Sequence, residues 1–357
     1  MTRKPKSLRR LKELPRVSIC TPTFNRRPFI APLIQMVAGQ DYPKESLEWI
    51  VLDDGTDPVG DLFEGVEGVR YIRSEERLPL GKKRNMLNSE ATGAIIVYMD
   101  DDDYYPSSRV THAVEMLMSH PSALCAGTSE IHTFFPDTGE MYQFGPYGPK
   151  HATAGTFAFR KRLLEQTSYE DSAAAAEEEA FLKQYTVPFV QLEPKKTIMV
   201  VSHRHHSFNR REAVEEGGPS VKKSSRQISD FVKEGNLVPF YTEQLDGLLE
   251  SYPDGLPEHK PDVLEQLEKV REKKKKLQAA EQRTEEEKLR DEKTNVRITL
   301  ADGNTHILSN GEVEFLLMRN QQEVKTLKDE IAALKAELAE KDEHDNDKPS
   351  ISLDIDE

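Results

Sequence analysis

Ile95-Ile96-Val97-Tyr98-Met99-Asp100-Asp101-Asp102-Asp103-Tyr104-Tyr105-Pro106 is a run of β-prone apolar side chains that stops in four consecutive carboxylates. A short continuous apolar run suits a strand buried on both faces, as in a parallel sheet. Open α/β sheets bind ligands outside the carboxyl ends of their strands, so the aspartates are expected at a ligand crevice. Adjacent carboxylates repel one another unless a cation neutralises them. Hard oxygen ligands favour Mg²⁺ or Mn²⁺, and substrate phosphates commonly complete the shell. The plainer alternative is a solvated acidic turn, and the buried strand before it and the Tyr-Tyr-Pro stop after it weigh against that.

Working outward, Val17 to Phe24, Leu47 to Leu52 and Val69 to Ile72 read as further strands. Helical spacing of Phe29, Leu33, Ile34 and Val37 follows the first, and a second helix opens at Leu80. Strands alternating with helices predict βαβ units and a mostly parallel, Rossmann-like α/β sheet. Beyond the aspartates the pattern predicts a helix over Arg109 to His120. Strands are expected at Ala123 to Gly127, Glu130 to Phe135, Met141 to Phe144, Gly155 to Arg160 and Lys196 to Ser202. The alanine run and glutamates of Ala173 to Tyr185 predict a long helix, and Gly217-Gly218-Pro219 predicts a mobile segment over Glu215 to Arg226.

The 357 residues allow one large α/β domain plus an extension, or two domains. We expect a basic segment at 1–15, the α/β domain at 16–230, a charged helical extension at 231–293, a small hairpin turning at Asp302-Gly303 plus a coiled-coil helix at 294–340, and an acidic disordered tail at 341–357. The coiled-coil seam is Val324, Leu327, Ile331, Leu334 and Leu338, at alternating spacings of three and four, and implies self-association or docking. A net charge of −14 argues against general nucleic-acid affinity. Cys20 and Cys125 sit in apolar runs and read as core residues rather than a disulfide or metal pair. No stretch approaches the ~18 apolar residues of a membrane span, and no apolar run follows the basic N-terminus as in a secretory signal. A cytoplasmic protein is expected.

With the first strand, Asp53-Asp54-Gly55 and Asp100 to Asp103 taken together, the chain resembles a glycosyltransferase of the GT-A fold, nearest the family 2 type, from about Arg16 to Arg211. The resemblance implies a metal-dependent, inverting transfer from a nucleotide-sugar donor, UDP-linked, to a hydroxyl of a glycan, protein or small molecule. It implies that Thr21, Pro22, Thr23, Asn25 and Arg26 line the nucleotide pocket, and that Asp54 or Asp53 accepts from base or ribose. Arg84 and Asn85 would lie near base and phosphates. Asp100 to Asp103 match the Asp-x-Asp motif, with Asp100 toward the ribose and Asp102 toward Mn²⁺ or Mg²⁺; Asp101 and Asp103 are alternates.

Transfer needs a base for the acceptor hydroxyl. By the resemblance, Glu177-Glu178-Glu179-Ala180-Phe181-Leu182 matches the family position; Glu178 comes first because Phe181 follows three residues on, Glu179 is next and Asp171 is a weaker candidate. The family more often has Asp here, and glutamates on a solvated helix face are the bland alternative. His203, His205 or His206 would complete the metal shell, with Arg210 or Arg211 on the phosphates. Two rivals remain: a sugar nucleotidyltransferase, although Thr21 to Arg26 lacks the glycine-rich phosphate loop, and a coiled-coil scaffold that binds nucleotide without turnover.

Overall fold

A computed structural model of the chain describes residues 14–294, 296–299 and 303–345. Most of the basic N-terminal segment, Asp302 of the expected hairpin turn and the tail after residue 345 lie outside the described residues.

In chain order, β1 (Val17–Thr23), α1 (Arg27–Ala38), β2 (Leu47–Asp53), β3 (Val69–Arg73), α2 (Leu80–Glu90) and β4 (Ile95–Tyr98) build the first half. Their four strands are parallel in the order β3-β2-β1-β4. β1 is buried at every position, its polar Ser18, Thr21 and Thr23 included. Its residues divide between two layers. Ile19, Trp49, Val51 and Val97 pack with Phe29 and Leu33 of α1, while Cys20, Ile50, Ile96 and Tyr98 pack with Leu87 of α2. Both cysteines are free and buried. Gly81 lets α2 close on the 170 loop, because a Cβ there would lie 2.0 Å from the Glu170 carbonyl oxygen. In register, Thr23 faces Asp53 and Cys20 faces Tyr98, so the carboxyl ends of β1, β2 and β4 converge at one edge.

The second half adds α3 (Arg109–Ser119), β5 (Cys125–Gly127), β6 (Ile131–Phe135), β7 (Glu140–Phe144), β8 (Ala158–Arg160), α4 (Glu178–Phe181), β9 (Phe189–Gln191), β10 (Val200–Val201), α5 (Arg210–Glu216) and β11 (Val221–Lys223). β8, β5 and β9 complete the main sheet, with β8 antiparallel to both β4 and β5. A smaller sheet runs β10-β6-β7-β11.

Several expectations are corrected. The long helix over Ala173 to Tyr185 is a four-residue turn of helix, with Ala176, Lys183, Gln184 and Tyr185 at positive φ. Helix propensity loses there to tertiary contacts: the Ala174 and Ala175 amides donate to Gln266 Oε1, and the Ala173 carbonyl accepts from the Gly81 amide. The Glu215 to Arg226 stretch, expected to be mobile, includes Val221–Lys223, which pairs with β7 as an edge strand. The strand expected at Lys196 to Ser202 shrinks to Val200–Val201, and half-buried β9 was not among the expected strands.

The compact unit continues past residue 230 to Val270. It takes in α6 (Ile228–Phe231), α7 (Leu237–Pro239), α8 (Leu245–Glu250) and the start of α9 (Pro261–Thr294), with Phe231, Leu237, Tyr241 and Leu245 joining the core. The second unit, from Arg271, holds an antiparallel pair, β12 (Val296–Thr299) and β13 (Thr305–Leu308), and then α10 (Asn310–Asp345). The seam residues Val324 to Leu338 form an exposed row on α10. No helix among the described residues is long and apolar enough to cross a membrane.

Candidate active site

The strand end at Tyr98 delivers the aspartates to the converging edge, where each meets a different environment. Asp102 Oδ2 lies 3.2 Å from Arg26 Nε, 3.4 Å from His203 Nε2 and 3.5 Å from His206 Nε2. Burial alone would raise its pKa; His206, His203 and Arg26 outweigh burial and hold it well below the carboxylate range. Its neighbours go the other way. Burial, and then Asp102, lifts Asp101 to about 7 and Asp103 well above its ordinary value, and burial also raises Asp100. Asp102 is thus the aspartate of the run whose pKa is lowered, and it is the one facing the imidazoles.

Asp102, His203 and His206 are the described residues that could hold a metal ion together, their ligand atoms all within 4.8 Å of one another. His203 and His206 stack with ring centroids 3.8 Å apart, because the His206 amide donates to the His203 carbonyl in a tight turn. Residues i and i+3 of such a turn share a side; i+2 does not. His205 accordingly points elsewhere, toward Gly255 and Tyr252, and is not part of that group. Burial lowers His203 to about 4 and His205 to about 3.

Arg84, buried on α2, donates through Nε to Glu177 Oε1 at 2.9 Å and reaches Asp100 Oδ1 at 3.5 Å, with its guanidinium 4.5 Å over the Tyr98 ring. Glu177 heads the Glu177 to Glu179 run expected to hold the base; paired with Arg84, it stands beside Glu178, whose pKa burial, and then Glu177, lifts to about 7. Glu178 is half-buried and Glu179 exposed.

A cleft of about 220 Å³ opens in front of these groups, walled by Pro22, Phe24, Arg26, Arg84, Asp100 to Asp102 and His206. Glu178 is not among the residues that wall it. Other expected pocket residues turn out to brace the walls. The Thr21 hydroxyl donates to the Met99 carbonyl and accepts from Trp49 Nε1. Thr23 is buried. Asp53 accepts from the Gly55 and Val59 amides and the Tyr71 hydroxyl. Asp54 pairs with Lys83 at 2.7 Å and accepts from the Leu78 amide. Asn85 is tied to Tyr169 and Asp171, which occupies that weaker candidate too. Arg210 lies 3.4 Å from His206 Nδ1, and Arg211 pairs with Asp137.

Residues beyond 230 also reach the cleft. The Asn25 side-chain amide donates to the Asp254 carbonyl, and Arg26 Nη1 to the Gly255 carbonyl at 3.1 Å. Lys260, Asp262 and Val263 line the cleft directly. Burial, and then Arg26, lowers the Lys260 pKa to about 7.

Residues 18–173 match the model of Glycosyl transferase family 2. The poly(ribitol-phosphate) beta-N-acetylglucosaminyltransferase TarS of Staphylococcus aureus is 30% identical over 111 residues, covering 29% of this chain and 19% of its own length. The probable glycosyltransferase YdaM of Bacillus subtilis is 29% identical over 210 residues, 52% of this chain and 50% of its own. Among solved structures, TarS 1-349 in complex with UDP-GlcNAc is similar with a TM-score of 0.41 at 19% identity, over 53% of this chain and 59% of that one. The chain spans from 19% to 50% of the length of the curated relatives it matches.

Proposed function

We propose, from the family 2-like GT-A glycosyltransferase domain of residues 18–173 as premise, that this protein moves a sugar from a UDP-linked donor to an acceptor hydroxyl with a divalent ion present. The observation that carries the proposal is the meeting of Asp102, His203 and His206 at the mouth of β4 beside Arg26.

The donor set suits an ion. Two imidazole nitrogens and an ionised carboxylate converge, and His203 Nε2 is buried without a well-formed hydrogen bond. Imidazole ligands suit a transition metal, whereas Mg²⁺ keeps oxygen ligands and water, so Mn²⁺ is the better fit. Such an ion offsets negative charge on a departing diphosphate.

The chain's own groups divide the remaining work. Pro22 and Phe24 offer an apolar wall, and Arg26 and Arg84 supply fixed positive charge that favours a developing anion. Glu178, with Glu179 as the alternate, takes the acceptor proton; a base poised near 7 is matched to that task. The acceptor oxygen bonds the anomeric carbon as its bond to the diphosphate oxygen breaks, the electron pair leaves with UDP and the proton ends on the Glu178 carboxylate. A single displacement of this kind inverts the anomeric centre. The acceptor is a glycan, protein or small molecule, and the exposed row on α10 supports self-association.

UDP release from a panel of UDP-sugars, with Mn²⁺ and with EDTA, tests the proposal. Turnover that requires Mn²⁺ and disappears in Glu178→Gln while UDP still binds would support it. Absence of UDP binding under both conditions would sink the UDP assignment.

A further inference from the structure

The cleft has one wall that lies well outside the family-matched segment. Residues 252–266 cross it as a strap tied down at both sides. On one side the Tyr252 hydroxyl donates to Asp57 Oδ2 at 2.8 Å, and the Asp254 and Gly255 carbonyls accept from Asn25 and Arg26. On the other, Gln266 accepts from the Ala174 amide at 2.7 Å and donates to the Ser172 carbonyl at 2.8 Å, while Asp262 pairs with Arg77. The strap is seated closely, since a Cβ at Gly255 would lie 2.3 Å from His205 Nδ1.

The cations lining this cleft are not equivalent. Arg26 is taken up by Asp102 and Asp101, Lys83 by Asp54, Arg84 by Glu177 and Asp100, and Arg77 by Asp262. Lys260 lines the same cleft, and among the described residues its ammonium makes no ion pair within 4.0 Å; the Phe24 ring lies 5.7 Å away, and Asp102 and Asp101 act on it only from farther off. A half-buried ammonium with no carboxylate in contact is costly, and an anionic ligand bound against it is what would offset that cost.

We propose that Lys260, carried on the 252–266 strap, is a donor-binding residue that contacts the diphosphate of the nucleotide sugar and makes the strap part of the site. This rests on the donor reading above and adds to it a phosphate contact from outside residues 18–173. An ammonium-to-phosphate bond is charge-assisted and of the stronger kind.

Calorimetric titration of the full chain with UDP and Mn²⁺ at fixed ionic strength tests it, comparing wild type with Lys260→Gln, Lys260→Arg and Lys269→Gln. Lys269 pairs with Glu265 on the exposed face of α9, which begins just after Lys260, so its removal controls for long-range charge. Lys260→Gln should bind UDP about tenfold more weakly, equivalent to about 1.4 kcal/mol. Lys260→Arg should recover most of the loss, and Lys269→Gln should match wild type. Unchanged affinity in Lys260→Gln, an equal loss in Lys269→Gln, or no recovery in Lys260→Arg would each overturn the Lys260 assignment while leaving the donor site standing. Wild type that binds neither UDP nor GDP with Mn²⁺ would remove the donor reading, and this proposal with it.

Discussion

Arg26 Nε lies 3.2 Å from Asp102 Oδ2, so the protein already supplies a positive charge to the carboxylate best placed to bind an ion. The guanidinium and an incoming ion therefore compete for one oxygen. Arg26→Gln should bind free Mn²⁺ severalfold more tightly in the absence of nucleotide, read by electron paramagnetic resonance, and should bind UDP more weakly. Equal Mn²⁺ affinity in both proteins would show that Arg26 does not compete.

Arg84 and Glu177 form a buried pair with Asp100 close by. Removing one partner of such a pair leaves uncompensated charge and costs about 3–5 kcal/mol. Arg84→Met should lose that much in urea unfolding, and Arg84→Met combined with Glu177→Leu should recover part of it. Strictly additive losses would mean that the two side chains are not coupled.

Gly155 stands against the back of Asp100, where an added Cβ would lie 2.6 Å from Asp100 Oδ2. The obstacle is a side chain, which can swing away, so the fold should tolerate the change better than the site does. Gly155→Ala should weaken UDP binding severalfold while its melting temperature stays within a few degrees of wild type. A large fall in melting temperature with binding intact would reverse that assignment.

Glu178 must be ionised to accept a proton, and burial together with Glu177 lifts its pKa to about 7. Turnover should therefore rise with pH through about 7 and fall about tenfold per unit below it. Glu178→Gln should lose about 10²- to 10⁴-fold in rate together with this pH dependence. A wild-type profile flat from pH 6 to 8 would point to a different base.

His112 is buried and accepts from the Glu193 amide through Nε2 at 3.0 Å, and burial, followed by Lys196 and Arg109, lowers its pKa to about 4. The unfolded chain protonates this residue near 6.5, so between about 6.5 and 4 the unfolded state binds more protons than the folded one. Stability must then fall as pH drops through that window, by at most about 3 kcal/mol from this group. Denaturant unfolding at pH 7 and pH 5 should show the drop, and His112→Gln should reduce it.

What could be read in the sequence follows from the range of the forces involved. Strand β4 and Trp49 to Leu52 of β2 are buried, so burial leaves apolar runs that need no partner to be recognised. Ala173 to Tyr185 misled for the same local reason, since alanine and glutamate favour helix while the deciding bonds come from Gly81, Arg84 and Gln266. The histidine cluster was visible, but its register was not. A strand continued through it would put His203 and His205 on one side, whereas the turn puts His203 with His206; the spacing His-x-x-His is the signal that carried this information. Lys260 left no local mark, because its significance depends on which distant cations are already paired.

The strap's bonds from Asn25 and Arg26 to Asp254 and Gly255 each span 229 positions of the chain. Synthesis proceeds from the N-terminus at about 5–20 residues per second. The sheet that presents Asp102 therefore leaves the ribosome well before the wall that covers it. During synthesis the residues of the acidic crevice therefore exist for some seconds without the segment that becomes its last wall, so the crevice is complete only once the compact unit is finished.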